Sequence, residues 1–200
     1  AGFAVAWENA ERLQASRHQM DFSSGSTLSD QLPVGVEALS RGLSRCITVS
    51  HSGGGLGWDT HANNDETQSA LFETLFDGLL QLQAMLTGTL APDGRPLSEQ
   101  TTVVVLSEMG RTAQLNGTNG KDHWPFTSAM IIGPATQGGR VFGGFDAGYQ
   151  GLSLELSTAE PDDRAPVCSV ESVGAALLEL GDVDAALYVP DADPLRGILL

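Results

Sequence analysis

The sequence predicts an α/β fold in which helices flank a mostly parallel β-sheet. The segment "TTVVVLSE" (101–108) is a run of β-branched and apolar residues, as expected for a strand buried on both faces of a parallel sheet. The segment 63–88 carries leucines at helical spacing and is long enough to be the crossover helix of such a sheet. With 200 residues and a hydrophobic fraction of 41%, the chain can bury its own core. We therefore expect residues 1–200 to form a single α/β domain.

The predicted elements follow the order that this fold requires. Residues 1–45 are predicted to be a helical lead-in, because segment 27–43 has apolar residues at helical spacing. Residues 46–200 are predicted to form the sheet core, which begins with the β-branched "RCITVSH" as a buried strand. Asn63 and Glu66 form a capping-box pattern at the start of the crossover helix. A third strand, "SAMIIGP", and a C-terminal amphipathic helix, "SVESVGAALLELGD", complete the pattern.

Charge and missing motifs exclude several classes of function. The formal net charge is -15, from 25 acidic and 10 basic residues, so the average surface repels nucleic acid. No apolar run approaches the roughly 20 residues that a membrane-spanning helix needs, so no membrane span is expected. The glycine-rich "SGGGLG" lacks the last glycine of a dinucleotide-binding motif, and no P-loop sequence occurs. We therefore expect no nucleotide cofactor.

The two cysteines, Cys46 and Cys168, lie far apart in the sequence. They form neither a CxxC motif nor a zinc ribbon, which leaves buried thiols or one long-range disulfide. Our expectation is a pair of free, buried thiols.

Polar side chains follow the predicted strands at the points where these strands end. Asp59 and His61 come after the glycine loop, and in an extended segment residues i and i+2 project to the same side. Glu108 ends the strand 101–108, and His123 lies in the loop beyond it. Because ligands of open α/β sheets bind at the carboxyl ends of the strands, these side chains are expected to converge. The predicted metal ligands are Asp59, His61, Glu108 and His123.

This ligand set suits zinc, manganese or iron, and the expected cofactor is one divalent transition metal, zinc or manganese. Asp122 and His123 are adjacent, so an extended backbone sends them apart, and we expect His123 to bind the metal while Asp122 orients a ligand. Arg111 and Asp122 are the predicted catalytic residues, and Arg111 would hold an anionic group of the substrate. Purely structural roles stay open, since Asp59 could cap a turn and Glu108 could pair with Arg111.

Five segments resemble the successive signatures of a bacterial family of exported proteins, the domain of unknown function 1501 family. They are "GWDTHANN", "VVVLSEMGRT", "GKDHWP", "IIGPATQGGRVFGGFD" and "VGAALLELGDVD". The usual forms in that family are Gly-Trp-Asp-Thr-His, Ser-Glu-Phe-Gly-Arg-Thr and Gly-Arg-Asp-His-Trp. Many members begin with a twin-arginine signal, so the resemblance implies export to the periplasm or the cell exterior.

That family is similar in turn to the alkaline phosphatase and sulfatase superfamily. The likeness implies that the chain is the C-terminal part of an alkaline phosphatase-like domain, with an N-terminal portion preceding it. Asp59 and His61 would then match the superfamily's first Asp and His. Glu108 would match its strand-end aspartate, and His123 its late histidine. Met109 stands where the superfamily has a strand-end histidine, so one metal ion rather than two is expected. The nucleophile that the superfamily uses is not recognisable in this sequence.

The resemblance and the ligand set together imply a metal-dependent hydrolase of phosphate or sulfate esters. Its expected partner is an anionic ester or a sulfated or phosphorylated glycan, and its oligomeric state is left open. The alternative is a non-catalytic binding or surface-assembly module that keeps the fold without the metal chemistry. Met109 and the missing nucleophile favour this alternative.

Overall fold

A computed structural model describes residues 7, 10–11, 14–15, 25–53 and 57–200. The chain divides into two compact units. The first comprises Ala1–Thr101 and Leu115–Asp122, and the second comprises Thr102–Gln114 and His123–Leu200. Within the described ranges, no helix is both long and apolar enough to cross a membrane.

In the ranges 25–53 and 57–101 of the first unit, helix α1 (Leu28–Ser40) packs against helix α2 (Asn64–Gly88). Helix α1 begins with a capping box, in which Thr27 and Asp30 each accept a hydrogen bond from the backbone of the other. Helix α2 approaches α1 so closely that a Cβ atom at Gly78 would overlap the side chain of Leu28. Glycine is therefore the residue that permits this helix contact. A 3-10 helix, Leu97–Glu99, also packs against α2.

The leucines of α2 are buried to different degrees. Leu71 and Leu86 are buried, and Leu75, Leu79 and Leu82 are half-buried. The predicted helix 63–88 is present, and its bounds agree with the prediction to within one residue. The reason is that the apolar spacing of this segment matches the helical period.

The predicted capping box at the start of α2 is wrong. Asn63 occupies the N-cap position, but its backbone is left-handed (φ 49°) and its side chain makes no capping hydrogen bond. Its backbone N–H instead donates to the carbonyl of Thr118 at 3.3 Å. A long-range contact has thus replaced the local cap that the sequence pattern predicted.

The predicted first strand, "RCITVSH", is also wrong, because residues 46–50 have no regular secondary structure. The backbone of Ser50 pairs with the side chain of Gln31, with its N–H donating at 3.1 Å and its carbonyl accepting at 2.8 Å. Ile47 packs against Gly35 of α1. The side chain of Gln31 therefore satisfies the backbone N–H and carbonyl of Ser50, and α1 packs against Ile47, without a neighbouring strand.

The second unit contains three antiparallel strand pairs. Each pair has two short strands: β1 (Val103–Val105) with β4 (Met130–Ile132), β2 (Gly110–Arg111) with β3 (His123–Trp124), and β5 (Leu154–Glu155) with β6 (Glu160–Pro161). In the first pair, Val104 lies opposite Ile131.

The predicted mostly parallel, alkaline phosphatase-like sheet is therefore wrong. The described residues contain only two-stranded antiparallel sheets and no extended parallel sheet. The valines of β1 are half-buried, whereas a strand in the centre of a parallel sheet is buried on both faces. An apolar run shows that a segment can form a strand, but it carries no information about which strand will pair with it, and here the partner is β4.

The predicted C-terminal helix is confirmed as α3 (Val170–Leu180), capped by the side chain of Ser169. Ala175 and Ala176 of α3 are buried. The core around α3 is formed by four buried apolar residues, Ala159, Ala176, Leu195 and Ile198. The side chain of Arg196 also binds Glu179 of α3, which fastens the C-terminal segment to the helix.

The cysteine expectation is half correct. Both thiols are free, but Cys46 is exposed and Cys168 is only half-buried. Burial raises the pKa of the Cys168 thiol, because an apolar surrounding disfavours the thiolate.

Candidate functional site

His61 lies between two carboxylates of the first unit. Its Nδ1 atom is 2.8 Å from Oδ1 of Asp122, and its Nε2 atom is 3.2 Å from Oδ1 of Asp59. All three side chains are exposed to solvent. We call these three residues the Asp-His-Asp cluster.

Backbone hydrogen bonds hold the segment that carries Asp59 and His61 against the segment 115–122. The N–H of Lys121 donates to the carbonyl of Thr60 at 2.9 Å, and the N–H of Asn64 donates to that of Asn119 at 2.8 Å. The two segments thus form a short ladder, which fixes the distance between His61 and Asp122.

Gly120 allows this close approach of the two segments. A Cβ atom at this position would overlap the carbonyl group of His61 and the backbone nitrogen of Ala62. Gly120 is itself buried. Any larger residue would therefore push the loop away from the cluster.

Asn116 links the loop to the cluster and is a residue that the sequence prediction missed. Its Nδ2 donates to Oδ1 of Asp122 and to the carbonyl of His61, both at 3.1 Å. Its Oδ1 accepts from the backbone N–H groups of Thr118 and Gly120. The only sequence signal for this role is the turn-forming run "NGTNG", which predicts a tight loop but not its partner.

Thr60 supports the cluster from the opposite side of the segment. It is 4% exposed, and its Oγ1 donates to Oδ1 of Asn64 at 2.7 Å. Gln68 of α2 donates to Thr60 Oγ1 at 3.1 Å and to the carbonyl of Trp58 at 3.0 Å. Thr60 is buried, whereas its neighbours Asp59 and His61 are exposed to solvent. The start of α2 therefore anchors the cluster.

The geometry of the cluster fits a cation. A neutral imidazole has one N–H, so when Nδ1 donates to Asp122, Nε2 presents a lone pair to Asp59. Two acceptor atoms at this distance are favourable only with a proton or a cation between them. Two ligand atoms that are about 2.1 Å from a tetrahedral metal, at an angle of about 109°, lie about 3.4 Å apart. The observed separation of Nε2 and Oδ1 is 3.2 Å.

The other predicted site residues belong to the second unit. Arg111 lies directly opposite His123 in the β2–β3 pair, and Gly110 lies opposite Trp124. Glu108 is exposed, and its Oε2 accepts a hydrogen bond from Ser107 at 3.3 Å. Met109, which follows it, is half-buried.

The β2–β3 pair is held in place by two neighbouring contacts. A Cβ atom at Gly110 would overlap the carbonyl of Phe126, and Trp124 Nε1 donates to the carbonyl of Tyr149 at 2.9 Å. Cross-strand neighbours project from the same face of a ribbon, so the guanidinium of Arg111 and the imidazole of His123 share one face. The predicted convergence of all four metal ligands stays a prediction.

Fold and site together define a protein with packed helices, small antiparallel sheets and an exposed aspartate-histidine-aspartate cluster. The chain belongs to the family described as Protein of unknown function (DUF1501), whose model matches residues 35–162. The match covers more than half of the chain, so it confirms the family predicted from the sequence, and it includes every predicted site residue. Neither the search of curated proteins nor the search of solved structures found a match.

Proposed function

We propose that this protein is a metal-dependent hydrolase of phosphate or sulfate esters whose metal ion is held by His61 and Asp59. The observation that carries the proposal is the 3.2 Å separation of His61 Nε2 and Asp59 Oδ1, with Asp122 on the other ring nitrogen. The proposal depends on this donor geometry and not on an alkaline phosphatase-like fold.

Each residue of the cluster has a distinct role in this proposal. His61 and Asp59 are the ligands, and a histidine nitrogen with a carboxylate oxygen suits zinc or manganese. Asp122 accepts from Nδ1 of His61, which fixes the tautomer in which Nε2 carries the lone pair that binds the metal. A bound divalent metal supplies a Lewis acid for the attack on an anionic ester.

Substrate binding in this proposal uses a cationic side chain. Arg111 offers a planar guanidinium that can bind a phosphate or sulfate group through two hydrogen bonds. The substrate class is an anionic ester, which includes sulfated or phosphorylated glycans. We also propose that His123 and Glu108 supply further ligands and, from the family resemblance, that the protein acts outside the cytoplasm.

The competing function is a non-catalytic binding or surface-assembly module. The exposure of all three cluster side chains favours it, because hydrolytic sites commonly exclude water to strengthen their electrostatic interactions. Met109 and the lack of a recognisable nucleophile in the sequence favour it as well.

Metal binding and ester hydrolysis separate the two functions. Elemental analysis and calorimetry with zinc and with manganese should show one ion per chain at neutral pH. His61→Ala and Asp59→Asn should lose it, whereas His51→Gln and Asp163→Asn serve as matched controls and should keep it. His123→Ala tests whether this second histidine also binds the metal.

The zinc-loaded and manganese-loaded proteins are then assayed with nitrophenyl phosphate and nitrophenyl sulfate. Turnover that disappears in His61→Ala supports the hydrolase. A bound metal without turnover of either ester supports the binding module instead. A wild-type protein that takes up neither metal contradicts both the site and the hydrolase.

A further inference from the structure

Helix α2 is apolar on two different faces. Leu71, Gly78 and Leu86 on one face are buried in the first unit. On a second face, Phe72, Phe76 and Leu80 are 45%, 47% and 65% exposed. A helix on the surface of a protein normally has one apolar face, so the second one marks a surface that contacts something else.

Phe72, Phe76 and Leu80 form a continuous ridge, which we call the phenylalanine stripe. They are spaced by four residues, so they cover about 12 Å along the helix and about 80° of its circumference. The rings of Phe72 and Phe76 are stacked with centroids 6.2 Å apart, and the ring of Trp58 meets Phe72 edge-on at 5.1 Å. These ring contacts restrict the side-chain rotamers of Phe72 and Phe76, which lowers the entropic cost of binding a partner.

Acidic side chains line one edge of the stripe. Glu73 and Asp77 each follow a stripe phenylalanine by one position, which places them about 100° further around the helix, beside Leu80. Glu66 lies seven residues before Glu73, about two helical turns, and therefore on the same edge. All three carboxylates are exposed. Residues 64–88 contain no lysine or arginine. The stripe is therefore an apolar ridge bordered by negative charges that no basic residue of α2 neutralises.

We propose that the phenylalanine stripe docks an amphipathic helix of a partner protein whose apolar face is bordered by lysine or arginine. Apolar side chains of the partner cover Phe72, Phe76 and Leu80, and its basic residues meet Glu66, Glu73 and Asp77. This interaction is independent of the metal site and of any hydrolysis.

The same charges argue against two other occupants. A second copy of the chain would bring another acidic helix and another net charge of -15 to the same border. An anionic lipid surface would be repelled by the carboxylates in the same way. Only a basic partner gains from both the ridge and its border.

The test uses a fluorescein-labelled helical peptide of about 18 residues, with leucines on one face and lysines beside them. Binding is measured by fluorescence anisotropy at low and moderate salt. A control peptide carries glutamates in place of the lysines. The wild-type protein should bind the lysine peptide and not the glutamate peptide, and the affinity should fall as salt screens the border.

Two pairs of variants locate the binding surface. Phe72→Ala with Phe76→Ala should weaken binding about tenfold or more, since large buried aromatics carry most of an interface's energy. Val170→Ala with Leu187→Ala removes exposed apolar residues from the second unit and should leave binding unchanged. Circular dichroism verifies that each variant is folded.

The charge variants keep the proposal testable even if the phenylalanine variant does not fold. Glu73→Lys with Asp77→Lys should weaken binding and reduce its salt dependence. Asp163→Lys with Asp191→Lys makes the same change in net charge at exposed sites of the second unit and should have little effect.

Three results would overturn the proposal. The first is equal weakening by both charge variants, which would show that the peptide responds only to net charge. The second is a wild-type protein that does not bind the lysine peptide. The third is sedimentation or vesicle binding in which Phe72 and Phe76 mediate self-association or attachment to anionic lipid.

Discussion

The carboxylate of Asp122 contacts the imidazole of His61 at 2.8 Å, although the two residues are 61 positions apart in the chain. The contact depends on the ladder between segments 59–64 and 115–122 and on the side chain of Asn116, which bonds to both partners. The orientation of the His61 ring is therefore set by a loop that is distant in sequence, and this arrangement leads to the first two predictions.

Asp122→Asn should weaken zinc binding by about 10- to 100-fold, the usual effect of removing the partner of a histidine ligand. The reason is that an amide no longer stabilises the tautomer in which Nε2 is the ligand. Isothermal titration calorimetry measures the change, and Asp163→Asn is the control. An unchanged zinc affinity would show that Asp122 does not orient His61.

Gly120→Ala should destabilise the protein by about 1–3 kcal/mol, because the added methyl group overlaps the carbonyl of His61 and forces the backbone to shift. Gly117→Ala is a matched control in the same loop, since its added methyl group would meet no atom within 4 Å. Urea denaturation gives both free energies of unfolding. Similar values for the two variants would mean that the loop can move away without cost.

Leu71→Ala should cost about 2–5 kcal/mol, as expected for a leucine in a packed core. The side chain of this residue is 2% exposed. Leu80→Ala on the same helix is the control, and its effect should be within about 0.5 kcal/mol because Leu80 is 65% exposed. Guanidinium denaturation measures both, and a larger loss for Leu80 would show that the buried face of α2 is misassigned.

Glu179 should make the stability of the protein depend on pH in the acidic range. Hydrogen bonding to Arg196 lowers the pKa of Glu179 below its usual value of 4.5. The carboxylate therefore contributes stability that is complete above pH 4.5 and is lost as the pH falls through the lowered folded-state pKa.

This pH dependence is measured with Glu179→Gln, which keeps the shape of the side chain but cannot ionise. The wild type should be more stable than the variant at neutral pH, and the difference should shrink towards zero as the pH falls below 4.5. Thermal unfolding followed from neutral to acidic pH gives the comparison. A difference that is independent of pH would contradict the ion pair between Glu179 and Arg196.

The two thiols should react at different rates. Cys46 is exposed, whereas Cys168 is half-buried and burial raises its pKa, which reduces its thiolate fraction. A maleimide reagent at mildly alkaline pH should therefore modify Cys46 first. Mass spectrometry of Cys46→Ser and Cys168→Ser separates the two rates, and faster labelling of Cys168 would contradict the prediction.

Part of this structure could be predicted because it depends on local patterns. The leucine spacing of α2 and the apolar spacing of α3 match the helical period, and each helix begins and ends within about two residues of its predicted bounds. The family could be identified for a similar reason, since short motifs such as "GWDTHANN" are contiguous in the chain.

Other features were decided by contacts between distant parts of the chain. The apolar run Val103–Val105 pairs with Met130–Ile132, and Ser50 pairs with the side chain of Gln31 instead of with a strand. A sequence pattern reports how readily a segment becomes extended, but the identity of its partner depends on which backbone groups the rest of the fold leaves available. For this reason the parallel sheet was predicted and antiparallel pairs were found.

The candidate site divides in the same way. The sequence by itself determined that Asp59 and His61 lie two residues apart after a glycine loop and that Asp122 lies far along the chain. Only the tertiary structure decided that Asp122 holds the ring of His61 and that Asn116 and Gly120 make this possible. The physical reason is that a contact of 2.8 Å requires two backbone segments to approach closely. That approach depends on Gly120, which has no Cβ atom, and on a ladder of hydrogen bonds between residues distant in sequence.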